Sequence, residues 1–316
     1  MRIEVVTNDA ALRDLGPEWQ ALWRCENADP FRSAAWNLAW WECFGTGRPV
    51  VAVACGRGGA AGVFACYLLD ETAGRKLLPM GAGITDYQDV LGSGAPELLT
   101  AVLQFAREAG AASCDLTDLP PGAALRTVPA PDGWRDSQAE TDACPVLDPA
   151  AIPAGRRRDI RQALHRAERR GGSTIETANA DTLGSALDTL ASLHAARWQA
   201  RGRPGVLADA RVAAFHRLVA PALLAEGALR LSVLRIGGRP AAACYVLRAP
   251  HSMFLYLSGF DPSFSFESPG TILLGHLIGQ AVAEGRSVHF LRGAEAYKYA
   301  WGGVDRMNTT RRLVPR

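Results

Sequence analysis

The sequence predicts a mixed α/β (or α+β) fold made of two similar halves, each a mostly antiparallel sheet with a central helix. A hairpin pattern occurs twice, over residues 50–69 and 229–248, and each time Gly-Gly joins two apolar runs, as tight hairpin turns favour. Each hairpin is followed by an apolar segment, a helical segment that begins at proline, and a short apolar strand. This order indicates a duplicated α/β unit. Chance recurrence remains an alternative, because such patterns are common.

The length of 316 residues allows two medium-sized domains, each with its own core. Three prolines fall within residues 144–153, which is typical of a linker. We therefore predict domains at residues 1–148 and 149–316. The composition, 48% hydrophobic and 21% charged, is that of an ordinary folded protein.

In the first half, apolar spacing predicts two helices that are rich in tryptophan, at 17–26 and 34–44. Five of the eight tryptophans lie here, which is more typical of a core than of a ligand-binding wall. The other predicted elements are strands at 3–6 and 76–80, a loop at 81–89, the central helix at 96–110 and a strand at 113–116.

The second half begins with a basic helix at 154–170, in which seven arginines fall within fifteen positions. Arg157, Arg161, His165 and Arg169 recur every fourth residue and so share one face. This face predicts either contact with the phosphates of a ligand or pairing with the acidic first half. The remaining predicted elements are helices at 181–201, 208–226 and 269–285, with strands at 254–260 and 288–291.

The two predicted domains differ in charge. Residues 1–148 contain 11 Lys and Arg against 20 Asp and Glu, and the remaining residues contain 23 against 12, so the net charges are −9 and +11. Such an asymmetry predicts domains that attract each other and a second half that handles an anionic ligand. An accidental division of surface charge is the alternative.

The seven cysteines show no paired metal spacing and lie mostly in apolar segments, so we expect core residues in a reducing cytoplasm and no metal. No secretory signal or segment long enough to span a membrane is expected. Only two lysines occur, Lys76 and Lys298, so Lys298 is a candidate for a role that needs an ammonium group.

Several motifs resemble those of a known family. The second half has the element order of the GNAT acyltransferases, and the chain more narrowly resembles the CelD-type (cellulose-biosynthesis-type) acetyltransferases and, more distantly, the Fem-type peptidoglycan bridge aminoacyltransferases. The matching segments are residues 85–89, the arginine-rich helix, 193–198, 268–270 and 292–302.

The resemblance implies tandem GNAT-like domains: a degenerate one at residues 1–148 and an acyltransferase at 149–316. It implies direct attack of an amine on an acyl-CoA thioester, in a cleft between the two halves. One departure concerns the loop at 260–270, which has a single glycine, no basic residue and two acids where GNAT enzymes hold the CoA pyrophosphate. Fem-type enzymes, which use aminoacyl-tRNA, also lack that loop.

The resemblance and the residue types together name three sets of site residues. Candidate catalytic residues, as base, acid or anion ligand, are Asp86, Tyr87, Asp89, Glu295, Tyr297 and Lys298. Candidate substrate-binding residues are His194, Arg197, Trp198, Tyr256 and Trp301. The candidates for binding the donor are Leu257, Ser258 and Gly259 on the fourth strand, Ser268 and Gly270 at the helix start, and Arg157 and Arg161.

Ordinary structural roles compete with several of these assignments. Asp86 and Asp89 fit a turn, His194 fits a core position after three leucines, and Tyr297 and Lys298 fit the packing of a helix start.

Three functions therefore remain open. The first is an N-acyltransferase that uses acyl-CoA and a small-molecule or polysaccharide-precursor amine. The second is aminoacyl transfer from charged tRNA, and the third is a GNAT-like binding module without catalysis.

Overall fold

The structure, a computed structural model, describes residues 1–72, 74–148 and 152–316. It contains two compact units, one formed by residues 1–143 and 306–316 and the other by residues 144–305. The last strand of the chain pairs with strands of the first unit, whereas the sequence placed it in the second half. Of the predicted linker, two residues form a strand of the second sheet and residues 149–151 lie outside the described chain.

The first unit is built on an eight-stranded sheet. Its strands are β1 (Arg2–Val6), β2 (Arg48–Gly56), β3 (Gly59–Glu71), β4 (Gly74–Pro79), β5 (Leu91–Gly92), β6 (Ser113–Leu119), β7 (Trp134–Ala143) and, from the chain end, β14 (Met307–Pro315). Its helices are α1 (Asp9–Glu26), α2 (Ala34–Phe44), α3 (Ala95–Glu108) and α4 (Ala124–Thr127).

The second unit is built on a six-stranded sheet. Its strands are β8 (Val146–Leu147), β9 (Ser173–Thr177), β10 (Leu229–Ile236), β11 (Arg239–Ala249), β12 (Ser252–Phe260) and β13 (Ser287–His289). Its helices are α5 (Ala154–Glu168), α6 (Leu183–Gln199), α7 (Ala210–Ala225), α8 (Pro269–Ala283) and α9 (Ala296–Ala300).

The strand order confirms the duplication. In the first sheet β1, β2, β3 and β4 are antiparallel neighbours, and β4 is parallel to β6. In the second sheet β9, β10, β11 and β12 are antiparallel neighbours, and β12 is parallel to β13. The parallel pair in each unit is connected through the predicted central helix, α3 or α8.

Each unit has its own apolar core between its sheet and its central helix. In α3, Leu98, Leu99 and Val102 are fully buried at the spacing of one helix face. In α8, Leu277 and Ile278 are likewise buried, and this helix packs against β11 and β12. Four of the five clustered tryptophans are buried, as expected for core residues: Trp19, Trp23, Trp36 and Trp40.

Two local predictions need correction. The first helix begins at Asp9 rather than at residue 17, because the Asn8 side chain caps it by accepting the N–H of Ala11 at 2.9 Å. Pro17 lies inside the helix. The first hairpin turns at residues 57–58, one residue earlier than predicted, whereas the second turns at Gly237-Gly238 with positive φ at both glycines.

Within the described residues, no helix combines the length and apolar character needed to cross a bilayer.

Candidate functional site

The second sheet is split at one end, between β12 and β13. β12 pairs with β11 over residues 252–260, but with β13 only over residues 252–254. A β-bulge at Tyr256 lies just beyond the point where the parallel pairing stops. Past this point, no strand of the described chain pairs with the second edge of β12. Backbone groups on that edge can therefore meet a ligand.

A cavity of about 260 Å³ opens at this split. Its apolar walls come mainly from β11, β12 and α8, and polar side chains come from α6, β12 and α9. Predicted site residues that line it are Arg197, Ser258, Gly259, Gly270, Tyr297 and Trp301. The remaining lining residues are Arg201, Ala242, Ala243, Cys244, Leu255, Phe260, Thr271, Leu273, Leu274 and Leu277. Within the described chain, no carboxylate is among them.

Arg197 brings a positive charge to the cavity from the last turn of α6. Its Nη1 donates to Oγ of Ser258 at 2.7 Å and, more weakly, to the Ser258 carbonyl at 3.4 Å. Its Nε is buried without a hydrogen-bond partner in the described chain. Burial lowers the pKa of Arg197, although arginine remains protonated in proteins.

Tyr297, in α9, is the second polar group of the cavity. Burial raises the pKa of Tyr297 to about 12, and the carboxylate of Glu295 adds to the rise, while the positive charge of Arg197 opposes it. The phenol therefore keeps its proton at neutral pH. It can donate a hydrogen bond to a substrate, and it is unsuited to act as a base.

Lys298 holds the backbone that leads into α9. The residue is 2% exposed, and its Nζ donates to the carbonyls of Leu291, Arg292 and Gly293 at 3.0, 2.7 and 3.0 Å. It also pairs with the Glu295 carboxylate at 2.9 Å. Four protein acceptors surround three N–H donors, so the geometry favours a structural role over the predicted contact with a substrate anion.

His194 lies on the α6–α7 side of the sheet. Burial, and then the charge of Arg197, lower the pKa of His194 to about 4, and burial lowers the pKa of the neighbouring His216 to about 3. The His216 ring also contacts Tyr245 and Tyr256, with ring centroids 5.2 and 5.5 Å apart. His194 is therefore a neutral core residue at pH 7 and a weak base.

Two other predicted residues have packing roles next to His194. A side chain at Gly259 would overlap the backbone of Leu193 and His194, so this glycine lets α6 approach β12. Trp198 packs near the His194 ring with centroids 5.9 Å apart and carries the guanidinium of Arg197 on its face.

The loop before α8 holds a 3₁₀ helix, Pro262–Glu267, instead of a glycine-rich turn. Glu267 is 4% exposed and pairs with Arg170 of the basic segment at 2.8 Å, and Arg170 also stacks on the buried Phe264 ring. Ser268 then starts α8 in a left-handed conformation, without a side-chain capping bond. Basic groups therefore reach this loop from other segments: Arg166 in α5, Arg170 just after α5, and Arg239 in β11.

The arginines of α5 divide into two sets. Arg156 stacks on Trp301, which lines the cavity, and donates to the Ala300 carbonyl at 2.8 Å. Arg157 and Arg161 are exposed, on the face turned away from the core residue Ala163. The predicted anion-binding arginines are thus available to a ligand.

The predicted first-half residues lie in a buried loop of the first unit. Asp86 is 8% exposed, and its carbonyl accepts a hydrogen bond from Asn308 at 2.9 Å. The Tyr87 ring packs edge-on against Phe31. Asp89 accepts the backbone N–H groups at the start of α4, which identifies it as a helix cap, and burial raises its pKa. Their convergence with second-half residues on one site stays a prediction.

Ten residues that line the cavity were not predicted from the sequence, and three of them have polar or sulfur-containing side chains: Arg201, Cys244 and Thr271. Arg201 follows Arg197 by four positions, so helical spacing could have found it. Cys244 lies in a run of small residues in β11, where nothing in the sequence distinguishes a cavity wall from a core. Leu257, a predicted donor-binding residue, does not line the cavity.

Two larger depressions hold fewer converging polar groups. One, of about 570 Å³, lies along α3 and β1 and includes Glu97 and Glu108. The other, of about 680 Å³, lies between α6 and α7 and includes Arg217. Neither lies at a strand split, so the cavity beside β12 is the better candidate for a catalytic site.

One part of the chain matches a known family model. Residues 154–299 match the family model described as an acetyltransferase (GNAT) domain. No match was found among curated proteins.

Solved structures match over nearly the whole chain. FemX aligns with a TM-score of 0.68 at 12% identity, over 98% of this chain and 97% of FemX. L-PGS from Bacillus licheniformis aligns with a TM-score of 0.63 at 13% identity, over 96% of this chain and 91% of L-PGS. A conserved protein of unknown function from Bacteroides thetaiotaomicron aligns with a TM-score of 0.67 at 12% identity, over 98% of this chain and 100% of that protein. The chain has a tandem GNAT-like fold, and within it residues 154–299, in the second unit, match the model of an acetyltransferase (GNAT) domain.

Proposed function

We propose that this protein is an N-acyltransferase that moves an acyl group, acetyl in the simplest case, from acyl-CoA to an amine acceptor by direct attack. The observation that carries the proposal is the cavity at the split of β12 and β13, where Arg197, Ser258 and Tyr297 meet inside the matched acetyltransferase domain. The narrower CelD-type resemblance, with a small-molecule or polysaccharide-precursor amine as acceptor, belongs to this proposal.

In the proposed reaction, unpaired backbone N–H groups of β12, near residues 257–259, stabilise the negative charge that develops on the acyl carbonyl oxygen. Tyr297 donates a hydrogen bond to the leaving sulfur. Because the pKa of Tyr297 is about 12 and a thiol has a pKa of about 8.5, full proton transfer from the phenol would be unfavourable. Tyr297 therefore stabilises the thiolate without protonating it.

The proton lost by the attacking amine needs an acceptor. Glu295 is the carboxylate whose charge raises the pKa of Tyr297, and its side chain is 49% exposed. Its Oε2 pairs with Lys298. Glu295 can accept the proton directly or through one water molecule. His194 is excluded from this role by its low pKa, and Asp89 by its two capping hydrogen bonds.

The donor's phosphates would lie at the start of α8, where backbone N–H groups lack helical partners. Gly270 lines the cavity there, and a side chain at this position would meet open space. The exposed Arg157 and Arg161 supply the positive charge that the loop lacks.

A second candidate donor is aminoacyl-tRNA, as the Fem-type resemblance implies. The segment Pro262–Glu267 favours it, because a 3₁₀ helix with a buried carboxylate replaces the loop that cradles a pyrophosphate in GNAT enzymes. The exposed arginines of α5 would then contact tRNA phosphates.

Calorimetric titration with acetyl-CoA, with and without about 0.5 M salt, tests the donor. The Gly270→Phe variant should abolish binding by filling the cavity. Gly279→Phe is its matched control, because both glycines lie in α8 and a side chain at either position meets open space. Binding that survives Gly270→Phe would place the donor elsewhere.

The same titration separates the alternatives. Salt-sensitive binding of charged tRNA without any acetyl-CoA signal would support the second donor. Binding of neither would leave the non-catalytic module as the remaining function.

A further inference from the structure

The cavity carries positive charge, and no carboxylate is among the described residues that line it. Arg197 and Arg201 both line it, and the positive end of the α8 helix dipole opens onto it at Gly270. The carboxylate of Glu295 raises the pKa of Arg197 through its charge, but this carboxylate already forms an ion pair with Lys298. Arg197 is partly buried and forms no ion pair with a carboxylate of the described residues, so the cavity favours an anionic occupant.

Three other arginines of this chain that are buried or partly buried have carboxylate partners. Arg311, which is 1% exposed, binds Asp136 at 2.6 Å, and Arg230 and Arg248 pair with Glu284 at 3.2 and 2.8 Å. The contrast indicates that the partner of Arg197 comes from a ligand. Its position beside Ser258 and Tyr297 places that ligand group at the reacting end of the cavity rather than near Pro262–Glu267.

The size and chemistry of the cavity narrow the class of anion. Its volume of about 260 Å³ is below the roughly 300–1,000 Å³ of sites for drug-sized ligands, so it suits a small group. The apolar walls from β11 and α8 suit a short carbon chain. A planar carboxylate matches the planar guanidinium of Arg197 in geometry.

We propose that Arg197 binds a carboxylate of the small substrate, so that this transferase acts on an acidic partner. The carboxylate belongs either to an amino-acid acceptor, next to the amine that attacks, or to the far end of a dicarboxylic acyl group on the donor. The inference rests on the proposed acyltransferase function. It adds the substrate class that the site selects.

Binding of four small probes tests the inference, with ligand-observed NMR on the full-length protein. The pairs are N-acetylglycine with N-acetylglycinamide, and succinate with succinamide; in each pair the neutral amide replaces the carboxylate. We expect the carboxylate of at least one pair to bind about tenfold or more tightly than its amide. Preference in the first pair indicates the acceptor as its source, and preference in the second the acyl group.

Variants assign the preference to Arg197. Arg197→Gln should abolish it, and Arg197→Lys should keep only part, because an ammonium lacks the guanidinium fork. Arg203→Gln, the loss of an exposed charge that does not line the cavity, should change nothing. Melting temperatures of all three variants show whether each is folded.

Two results would overturn the inference: equal binding of carboxylate and amide in both pairs, or pyrophosphate displacing the carboxylate probes with tenfold higher affinity through Arg197. Transfer assays with succinyl-CoA and butyryl-CoA keep the proposed function separate. Transfer that is equally fast with both donors, with acidic and neutral acceptors, and in Arg197→Gln would refute the carboxylate role and leave the acyltransferase intact. A carboxylate preference without any transfer would support the carboxylate role of Arg197 and refute the acyltransferase function.

Discussion

The two units share one topology, but among the described residues the space beside the fourth strand is a cavity of about 260 Å³ in the second unit and is largely filled in the first. In the second unit, β12 continues along β11 as far as Phe260, which pairs with Ala242. In the first unit, β4 stops at Pro79, and the short strand β5 takes the place beside β3, where Gly92 pairs with Gly62. Residues 62 and 242 are equally far from their hairpin turns, so β5 occupies the position of the end of β12.

In the first unit, the loop between β4 and β5 fills the space that corresponds to the cavity of the second unit. The indole N–H of Trp36 donates to Thr85 at 2.8 Å, and Gln88 donates to the Met80 carbonyl at 2.8 Å. A void of about 10 Å³ remains near Gln88, against about 260 Å³ in the second unit. The comparison teaches that space for a ligand exists beside the fourth strand where that strand runs on without interruption, and that the space is lost where a loop and β5 replace the end of the strand.

The largest expected effect is a loss of stability, and it differs between the two lysines, Lys298 in the second unit and Lys76 in the first. Lys298→Met should destabilise the protein by about 3–5 kcal/mol, because it leaves three buried carbonyls and Glu295 without their donor. Denaturant unfolding followed by tryptophan fluorescence measures the loss.

Lys76→Met is the matched control for this prediction. Lys76 pairs with Glu71 at 2.7 Å, but both side chains are partly exposed, so the loss should stay below about 1 kcal/mol. Equal losses in the two variants would mean that the carbonyl cage of Lys298 contributes nothing beyond an ordinary ion pair.

A second difference between the units is their response to acid, since all six histidines lie in the second unit. His216 is neutral when folded, with a pKa of about 3, and takes up a proton near pH 6.5 when unfolded. Its contribution to stability is therefore complete above pH 6.5 and is lost as the pH falls from 6.5 towards 3. At pH 5 the loss amounts to about 2 kcal/mol.

His216→Phe should remove this loss, so that the variant's stability changes less between pH 7 and pH 5 than that of the wild type. His251→Phe is the control, because His251 is exposed. Chemical denaturation at both pH values gives the comparison. The same acid sensitivity in both variants and the wild type would show that His216 does not titrate as its burial requires.

Much of the fold was predictable from local patterns. The hairpins and both central helices follow from glycine turns, apolar spacing and proline at helix starts, all of which are local signals. The pairing of β14 with the first unit was not predictable, because its partners lie more than 160 residues away in the sequence. The start of α1 at Asn8 was missed because Pro17 suggested a later beginning.

The candidate site was harder to predict than the fold. Arg197 and Tyr297 were named from motifs, and they do line one cavity. Lys298 and Asp89 were named on the same grounds, yet their side chains hold backbone groups of their own units. A sequence shows residue type but not which acceptors a folded loop presents, so it could not separate a buried structural ammonium from a ligand-binding one.

The third prediction compares a tyrosine of each unit. Tyr297→Phe should lower kcat for transfer from acetyl-CoA about tenfold, because the hydrogen bond to the leaving sulfur is lost. Tyr87→Phe should leave kcat within about twofold, since the Tyr87 ring is packed in the filled loop. Steady-state rates of thiol release measure both. A tenfold loss in Tyr87→Phe with unchanged stability would instead support the catalytic role predicted for the first half.

The smallest expected effect concerns charge on the surface of α5. Replacing Arg157 and Arg161 by Ala should raise KM for the phosphate-bearing donor a few-fold at low salt and flatten its salt dependence, with kcat little changed. The reason is that exposed arginines bind the donor's phosphates equally in the ground and transition states. Arg13→Ala, on an exposed position of the first unit, should leave KM unchanged. An unchanged KM with a lower melting temperature in the double variant would mean that the two arginines stabilise the fold and do not bind the donor.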